Sequence, residues 1–220
     1  LLFDIGSGRF PAPPLSGSSE NARDWMALLN ETRSQSDKFD KGLANQKETD
    51  RTHSEVQSWL RDLGLALGYD VWVAANDRGR LHEGVPLGSR CLDSLPHAIA
   101  TAQGSDAIRL IDILWLEQST ATVAAAFEVE HSTSIYSGIV RMLDLALSSE
   151  NLHLSTPLFL VAPDAREADV RAQLRRPAFS RIGDLDISYL PYAELEQNRV
   201  AIARFGTGLK AIKAISHPLP

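Results

Sequence analysis

The sequence predicts a mixed α/β domain in which helices pack on a β-sheet. Five short apolar runs of strand length occur between residues 69 and 190. Apolar residues also recur at helical spacing before, between and after these runs, which indicates amphipathic helices. The 220 residues are 44% hydrophobic and 23% charged. This composition suits one sizeable core and argues against wholesale disorder.

The first clear element is a helix that begins near Thr52. The segment Thr52-His-Ser-Glu55 has the S/T-x-x-E form of a capping box. An apolar stripe then follows at helical spacing, formed by Val56, Trp59, Leu60, Leu63 and Leu67. Gly64 and Gly68 mark the end of this helix.

The remaining elements are three strands followed by alternating helices and strands. Three strands are predicted at residues 69–75, 108–116 and 122–131, with a long connection between the first two. Then follow a helix to about Leu147 that Ser132, Thr133 or Ser134 caps, a strand at 158–162, a helix at 165–174, a strand at 187–190 and a helix at 194–204. The predicted order of the core is therefore α-β-β-β-α-β-α-β, and the helix at 194–204 follows it.

The composition also sets expectations about organisation and location. Residues 1–51 are predicted to be a linker and helical arm, 52–193 an α/β domain, and 194–220 a C-terminal helix and tail. Because the chain starts at Leu1, we expect a further domain before it. No apolar run reaches the roughly 18 residues of a membrane span, so we expect no membrane partner. The single cysteine, Cys91, fits a reducing cytoplasm.

The net charge of −6 removes the simplest argument for nucleic-acid binding, which is bulk positive charge. It does not exclude such binding, because a site that holds a divalent cation needs carboxylates of its own. The histidines show no HxxxH or HxH spacing, which argues against a histidine zinc site.

Three acidic residues lie in otherwise apolar strands. Asp112 interrupts the second predicted strand, and Glu128 and Glu130 end the third. Side chains alternate along a strand, so the two glutamates share a face, with Ala124 and Ala126 behind them. If the strands pair, Asp112 approaches Glu128, and a hard divalent cation is the obvious compensator for the repulsion.

A plainer interpretation stays open for these carboxylates. They can lie at strand ends and face water or nearby arginines. Glu55 likewise has a purely structural explanation as the capping-box partner of Thr52.

The order of elements and the acidic residues resemble the PD-(D/E)xK nuclease superfamily over roughly residues 52–192. Ile111-Asp112 corresponds to the family's first acidic motif, and Glu128-Val129-Glu130 to its (D/E)-x-K motif. Glu55 matches a glutamate that many members carry on the first helix. The sequence departs from the family where Ile111 replaces the proline and Glu130 replaces the lysine.

The resemblance implies a restriction-endonuclease-like core that hydrolyses phosphodiester bonds of DNA. Asp112 and Glu128 would hold Mg²⁺, or Mn²⁺, with Glu55 as a further ligand. Glu130 would act as general base, and His131 is the alternative proton carrier. A role in restriction or defence follows from the resemblance alone, which is also compatible with a homodimer.

Four arginines are candidate contacts to the DNA backbone. Arg141 lies on the helix after the acidic motif, and Arg171, Arg175 and Arg176 lie on the next helix. A solvated helix face explains the last three equally well.

Two rival functions remain at this stage. The first is a catalytically inactive module on the same fold that binds nucleic acid or a protein, and the missing lysine supports it. The second is an unrelated α/β hydrolase that uses the same carboxylates on a small phosphoester. Metal binding separates the catalytic hypotheses from the inactive module, and cleavage of a polymer separates the nuclease from the small-substrate hydrolase.

Overall fold

The computed structural model describes residues 52–130, 135–147, 156–176 and 185–219. Residues 49–220 cluster as one unit. The predicted arm at 1–51, His131 and the predicted cap residues 132–134 lie outside the described residues.

The described part of the chain contains seven α-helices and eight β-strands. Its helices are α1 (residues 52–66), α2 (His97–Ala100), α3 (Ser105–Ile108), α4 (Ile135–Leu147), α5 (Glu167–Leu174), α6 (Tyr192–Phe205) and α7 (Lys210–Ala214). Its strands are β1 (Asp70–Val73), β2 (Leu81–His82), β3 (Val85–Pro86), β4 (Ile113–Leu116), β5 (Val123–Val129), β6 (Leu158–Ala162), β7 (Ile187–Pro191) and β8 (His217–Pro218).

Six of the strands form one mixed sheet in the order β1-β4-β5-β6-β7-β8. The pairs β1–β4, β4–β5 and β7–β8 are antiparallel, while β5–β6 and β6–β7 are parallel. Each parallel connection carries a helix, α4 after β5 and α5 after β6, as parallel crossovers require. The predicted mixed α/β class is therefore confirmed.

Both faces of the sheet are covered. One apolar cluster contains buried residues of α2, α3, α4 and α5 together with Ala126 and Leu160 of the sheet. The other contains buried residues of α1, α6 and α7 together with Phe127 and Phe159. Since β5 and β6 are buried on both faces, their near-continuous apolar sequences are those of central strands.

The second predicted strand is shorter than expected, and Asp112 lies just before it. Residues Ser105–Ile108 form α3, and the Ile111 amide donates to the Ile108 carbonyl at 3.0 Å. The strand begins only at Ile113. Ile108 and Ile111 are three residues apart, which is a helical spacing, so this part of the apolar run packs as a helical turn rather than as an extended strand.

A β-bulge corrects the predicted environment of the glutamates. Trp115 pairs with Ala125 and Leu116 pairs with Val123, which leaves Ala124 as an extra residue in β5. Alternation therefore breaks at Ala124. Ala126 lies on the α4 face as predicted, whereas Ala124 packs against the cluster on the opposite face.

Several small elements were not predicted from the sequence. Strands β2 and β3 form a hairpin whose turn residues, Glu83 and Gly84, have φ values of 50° and 80°. Two positive φ values in a two-residue turn are typical of type I′. Strand β8 pairs with β7, so the segment after residue 194 extends the same sheet. No helix in the described ranges has the length and apolar character to cross a bilayer.

Candidate active site

Asp112 lies at the junction between the two layers of helices. Ile113 pairs with Phe127, so one further step of this antiparallel register sets Asp112 opposite Glu128. The Asp112 side chain is buried, and its Oδ2 accepts the Val129 amide at 2.7 Å. The carboxylate therefore supplies an acceptor at the end of β5, just before β4 begins.

Glu128 and Glu130 both face α4. A Cβ at Gly138 of α4 would lie 2.9 Å from Glu130 Oε1 and 3.3 Å from Glu128 Cβ. The absence of a side chain at Gly138 therefore lets the helix pack directly on both glutamates. Glu128 is fully buried and Glu130 nearly so.

Arg141, one turn further along α4, neutralises Glu128. Its Nε donates to Glu128 Oε1 at 2.8 Å, and its Nη2 donates to Oε2 at 2.5 Å. Such two-pronged pairing is the strong arrangement for a guanidinium and a carboxylate. In the structure, the arginine predicted to contact DNA thus occupies both oxygens of a predicted metal ligand.

The carboxylates on this side are hard to ionise together. Burial and then the charge of Asp112 raise the pKa of Glu128 well above its usual range, although Arg141 partly offsets them. Burial and Asp112 also raise the pKa of Glu130 to about 7, against opposing contributions from Arg141 and Arg166. A cation placed among these groups would relieve both effects.

On the other side, Asp112 faces α1. Gln57 Nε2 donates to Asp112 Oδ1 at 3.1 Å and to Asp77 Oδ2 at 2.9 Å. His53 lies one turn before Gln57, so the two side chains share a helix face. Its Nε2 is 3.6 Å from Asp112 Oδ1 and 3.9 Å from Asp77 Oδ2. Helix packing therefore brings α1 and the turn after β1 to the same carboxylate.

The neighbouring charges balance differently on this side. Burial lowers the pKa of His53, but the nearby carboxylate of Asp112, helped by that of Asp77, raises it by more, so the net shift is upward. Arg80 Nε lies 2.8 Å from Asp77 Oδ1. The Asp77 carboxylate thus pairs with the Arg80 guanidinium through Oδ1 and accepts a hydrogen bond from the buried Gln57 amide through Oδ2.

One group of side chains near Asp112 has the spacing that a metal ion would need. Among the described residues, His53, Asp77 and Asp112 form a group whose ligand atoms all lie within 4.8 Å of one another. Glu55 is two residues from both His53 and Gln57, which is roughly 200° around a helix. Glu55 therefore projects from a different face of α1 than the two residues that reach Asp112.

The three arginines of the α5 segment lie apart from these contacts. Arg171 pairs with Glu167 at 2.7 Å and donates to the Pro218 carbonyl, which ties α5 to β8. Arg175 and Arg176 are exposed beyond the end of the helix.

Sequence reasoning missed His53, Gln57 and Asp77 as neighbours of Asp112. The spacing of His53 and Gln57 by four residues was the available signal, because it places both on one face of α1. Residues 76–80 have the sequence of a turn, but this local pattern does not indicate that Asp77 approaches Asp112. Arg141 was noted, but its pairing with Glu128 depends on the placement of α4.

A mixed six-stranded sheet flanked by helices, with buried carboxylates converging where β5 ends, is consistent with a restriction-endonuclease-like fold. Comparison with known proteins agrees with this class. A sequence profile described as the type II restriction enzyme NmeDI C-terminal domain matches residues 32–212. The chain therefore belongs to the NmeDI C-terminal domain family.

One curated relative makes the connection more concrete. The chain is 29% identical over 157 residues to the type II restriction enzyme NmeDI of Neisseria meningitidis serogroup C. The alignment covers 67% of this chain and 42% of that enzyme, so the chain spans less than half of its relative. No solved structure matches the chain.

Proposed function

We propose that this domain cleaves DNA by divalent-metal-dependent hydrolysis of phosphodiester bonds, as a D…ExE variant of the PD-(D/E)xK pattern. The convergence of Asp112, Glu128 and Glu130, all buried, carries the proposal. Burying like charges together is costly unless a cation compensates for them. Membership of a restriction-enzyme family supports DNA as the substrate.

Asp112 and Glu128 are the residues that we propose hold the ion. Bound there, Mg²⁺ or Mn²⁺ would lower the pKa of a water molecule and neutralise charge on the phosphate. We assign no ligand role to Glu55, because it lies on a different face of α1 from His53 and Gln57. Carboxylate oxygens are the donors that these hard cations prefer.

Glu130 is the group that we propose receives the proton of the attacking water, at a carboxylate oxygen. In the metal-free protein, burial and the charge of Asp112 raise the pKa of Glu130 to about 7, so this carboxylate favours proton uptake more than an ordinary glutamate does. This assignment gives Glu130 a function in place of the lysine that is usual in the superfamily.

Arg141 is the residue that we propose exchanges partners when DNA binds. Its planar guanidinium fits a phosphate in the same two-pronged way as it fits Glu128. Transfer of Arg141 to a backbone phosphate would release both oxygens of Glu128 for the ion. The exposed Arg175 and Arg176 stay as proposed backbone contacts.

The test is cleavage of plasmid, linear duplex and single-stranded DNA with Mg²⁺, Mn²⁺ or Ca²⁺. We expect metal-dependent cutting that Asp112→Asn and Glu128→Gln abolish. Asp106→Asn and Glu196→Gln make the same chemical changes at exposed positions and should cut normally. Cutting that survives the first two substitutions would place the active site elsewhere or reveal a contaminant.

A non-catalytic DNA-binding module is the second candidate. The pairing of both Glu128 oxygens with Arg141 favours it, because that contact competes with a metal ion. Under this function no metal gives cutting of any DNA, while a gel-shift assay shows binding that Asp112→Asn leaves intact. Hydrolysis of a small phosphodiester but of no polymer would instead support the small-substrate hydrolase.

A further inference from the structure

The α1 side of Asp112 has the geometry of a binding site for one cation. His53 Nε2 is 3.6 Å from Asp112 Oδ1 and 3.9 Å from Asp77 Oδ2, which is too long for good hydrogen bonds. Ligands at about 2.1 Å from one ion are about 3.0–3.4 Å apart in octahedral or tetrahedral geometry. The two distances from His53 exceed this range by a few tenths of an ångström, and all three ligand atoms lie within 4.8 Å of one another.

Each carboxylate is already oriented toward that point. Asp112 Oδ2 is held by the Val129 amide, and Asp77 Oδ1 lies against Arg80, so the second oxygen of each faces His53. Hydrogen bonds and ion pairs to the oxygen that does not bind the metal orient the carboxylate ligands in metal sites and contribute to the affinity for the metal.

Gln57 supplies an independent observation. Its side chain is fully buried, and its Oε1 has no hydrogen-bond partner among the described residues. A buried oxygen without a hydrogen-bond partner lowers the free energy of unfolding. Its Nε2 already contacts both carboxylates, so rotating the amide by half a turn would place Oε1 where Nε2 is. That oxygen would then repel the carboxylates unless a cation lies between them.

We propose that His53, Asp77 and Asp112, joined by Gln57 Oε1 after this rotation, bind a divalent transition-metal ion. The imidazole nitrogen favours a first-row transition ion over Mg²⁺ or Ca²⁺, and Mn²⁺, which also suits the two carboxylates, serves as the probe. Because Asp112 belongs to both sites, the inference extends the proposed function, which places an ion between Asp112 and Glu128. The two sites use different remaining ligands and can therefore be tested separately.

The experiment uses Mn²⁺ and the whole 220-residue chain. Electron spin-echo modulation detects a directly bound histidine nitrogen, and selective ¹⁵N-histidine labelling changes that signal without any substitution. We expect a histidine signal on bound Mn²⁺ that disappears in His53→Ala and in His53→Gln. Asp77→Asn should weaken Mn²⁺ binding by roughly tenfold or more in calorimetry. Far-ultraviolet circular dichroism checks that each variant is folded.

Matched controls separate this inference from the proposed function. His97→Ala removes an exposed histidine and should leave both the signal and the affinity unchanged. Glu128→Gln should abolish cutting but retain the histidine signal. Bound Mn²⁺ without a histidine signal, or no Mn²⁺ binding at all, overturns the inference. A histidine signal that survives both His53 variants overturns it as well. A His53-dependent signal in a protein that cuts no DNA supports the inference and contradicts the nuclease.

Discussion

The two sides of Asp112 show two ways in which a protein buries carboxylates. On the α4 side, Glu128 and Glu130 are packed against a helix, and Arg141 pairs with only the first. On the α1 side, Asp77 is held by the neutral donor of Gln57 and by Arg80. The α4 side therefore retains unfavourable charge, which raises the pKa values of its glutamates, whereas on the α1 side the Gln57 amide donates to both carboxylates.

The largest expected effect comes from removing Arg141. Arg141→Met leaves Glu128 buried without its cation, which should lower the free energy of unfolding by about 3–5 kcal/mol in metal-free protein at neutral pH. Urea unfolding with a chelator measures the change. If the unpaired charge of Glu128 is the cause, adding Glu128→Leu to this variant should recover much of the lost free energy of unfolding.

Arg171→Met is the matched control for that experiment. Arg171 pairs with Glu167 on a partly exposed helix face, where an ion pair contributes about 1 kcal/mol or less. Equal losses in the two arginine variants would show that burial of Glu128 does not distinguish the α4 side.

Glu130 should make stability depend on pH. Its pKa is about 7 in the folded state against about 4.5 in the unfolded chain. Between these values the folded protein binds more protons than the unfolded chain, so the free energy of unfolding falls as pH rises through this window. The total is up to about 3 kcal/mol, and the loss is complete above the folded pKa.

Comparison of wild type with Glu130→Gln isolates this contribution. The stability difference between the two proteins, followed by urea unfolding from about pH 4 to about pH 8, should change across that window in metal-free buffer. Glu196→Gln, the same substitution at an exposed position, is the matched control. A difference that stays constant with pH would contradict the shifted pKa.

The strands of the sheet were easier to predict from the sequence than the contacts of the site. The bounds of β6 were predicted to the residue, because a central strand buried on both faces is a continuous apolar run with polar flanks. The pairing of β5, which lies beside β6 in the sheet, was harder to predict. An insertion such as Ala124 leaves no compositional mark, since alanine fits either face of a strand.

The same contrast applies to the two sides of Asp112. The proximity of Asp112 and Glu128 follows from pairing two neighbouring strands, which sequence patterns indicate. The approach of His53 and Gln57 requires α1 to lie across the sheet at one particular angle. That angle is set by packing many apolar side chains together, and no local pattern encodes it.

A smaller effect is expected on the α1 side. Gln57→Leu removes the donor to both Asp77 and Asp112, which should cost about 2 kcal/mol of unfolding free energy in metal-free protein. The cost is below that of Arg141→Met because Arg80 and the Val129 amide remain. Gln118→Leu, at an exposed residue, should change stability by about 0.5 kcal/mol or less by the same urea titration. If Gln57→Leu lowered the free energy of unfolding by more than Arg141→Met does, the ranking of the two sides of Asp112 would be reversed.

The smallest effect tests how tightly α4 packs on the glutamates. Alanine in place of a helical glycine usually stabilises by about 0.5–1 kcal/mol. Gly138→Ala should instead destabilise by about 1 kcal/mol, because its Cβ would meet Glu130 Oε1 at 2.9 Å and Glu128 Cβ at 3.3 Å. Shortening the side chain with Glu130→Ala removes the first of these contacts, so in that background Gly138→Ala should cost less or become stabilising. Thermal unfolding of the four proteins completes the cycle. A stabilising Gly138→Ala in the wild-type background would mean that Glu130 moves aside freely, and α4 would then pack less tightly on the glutamates than the 2.9 Å contact implies.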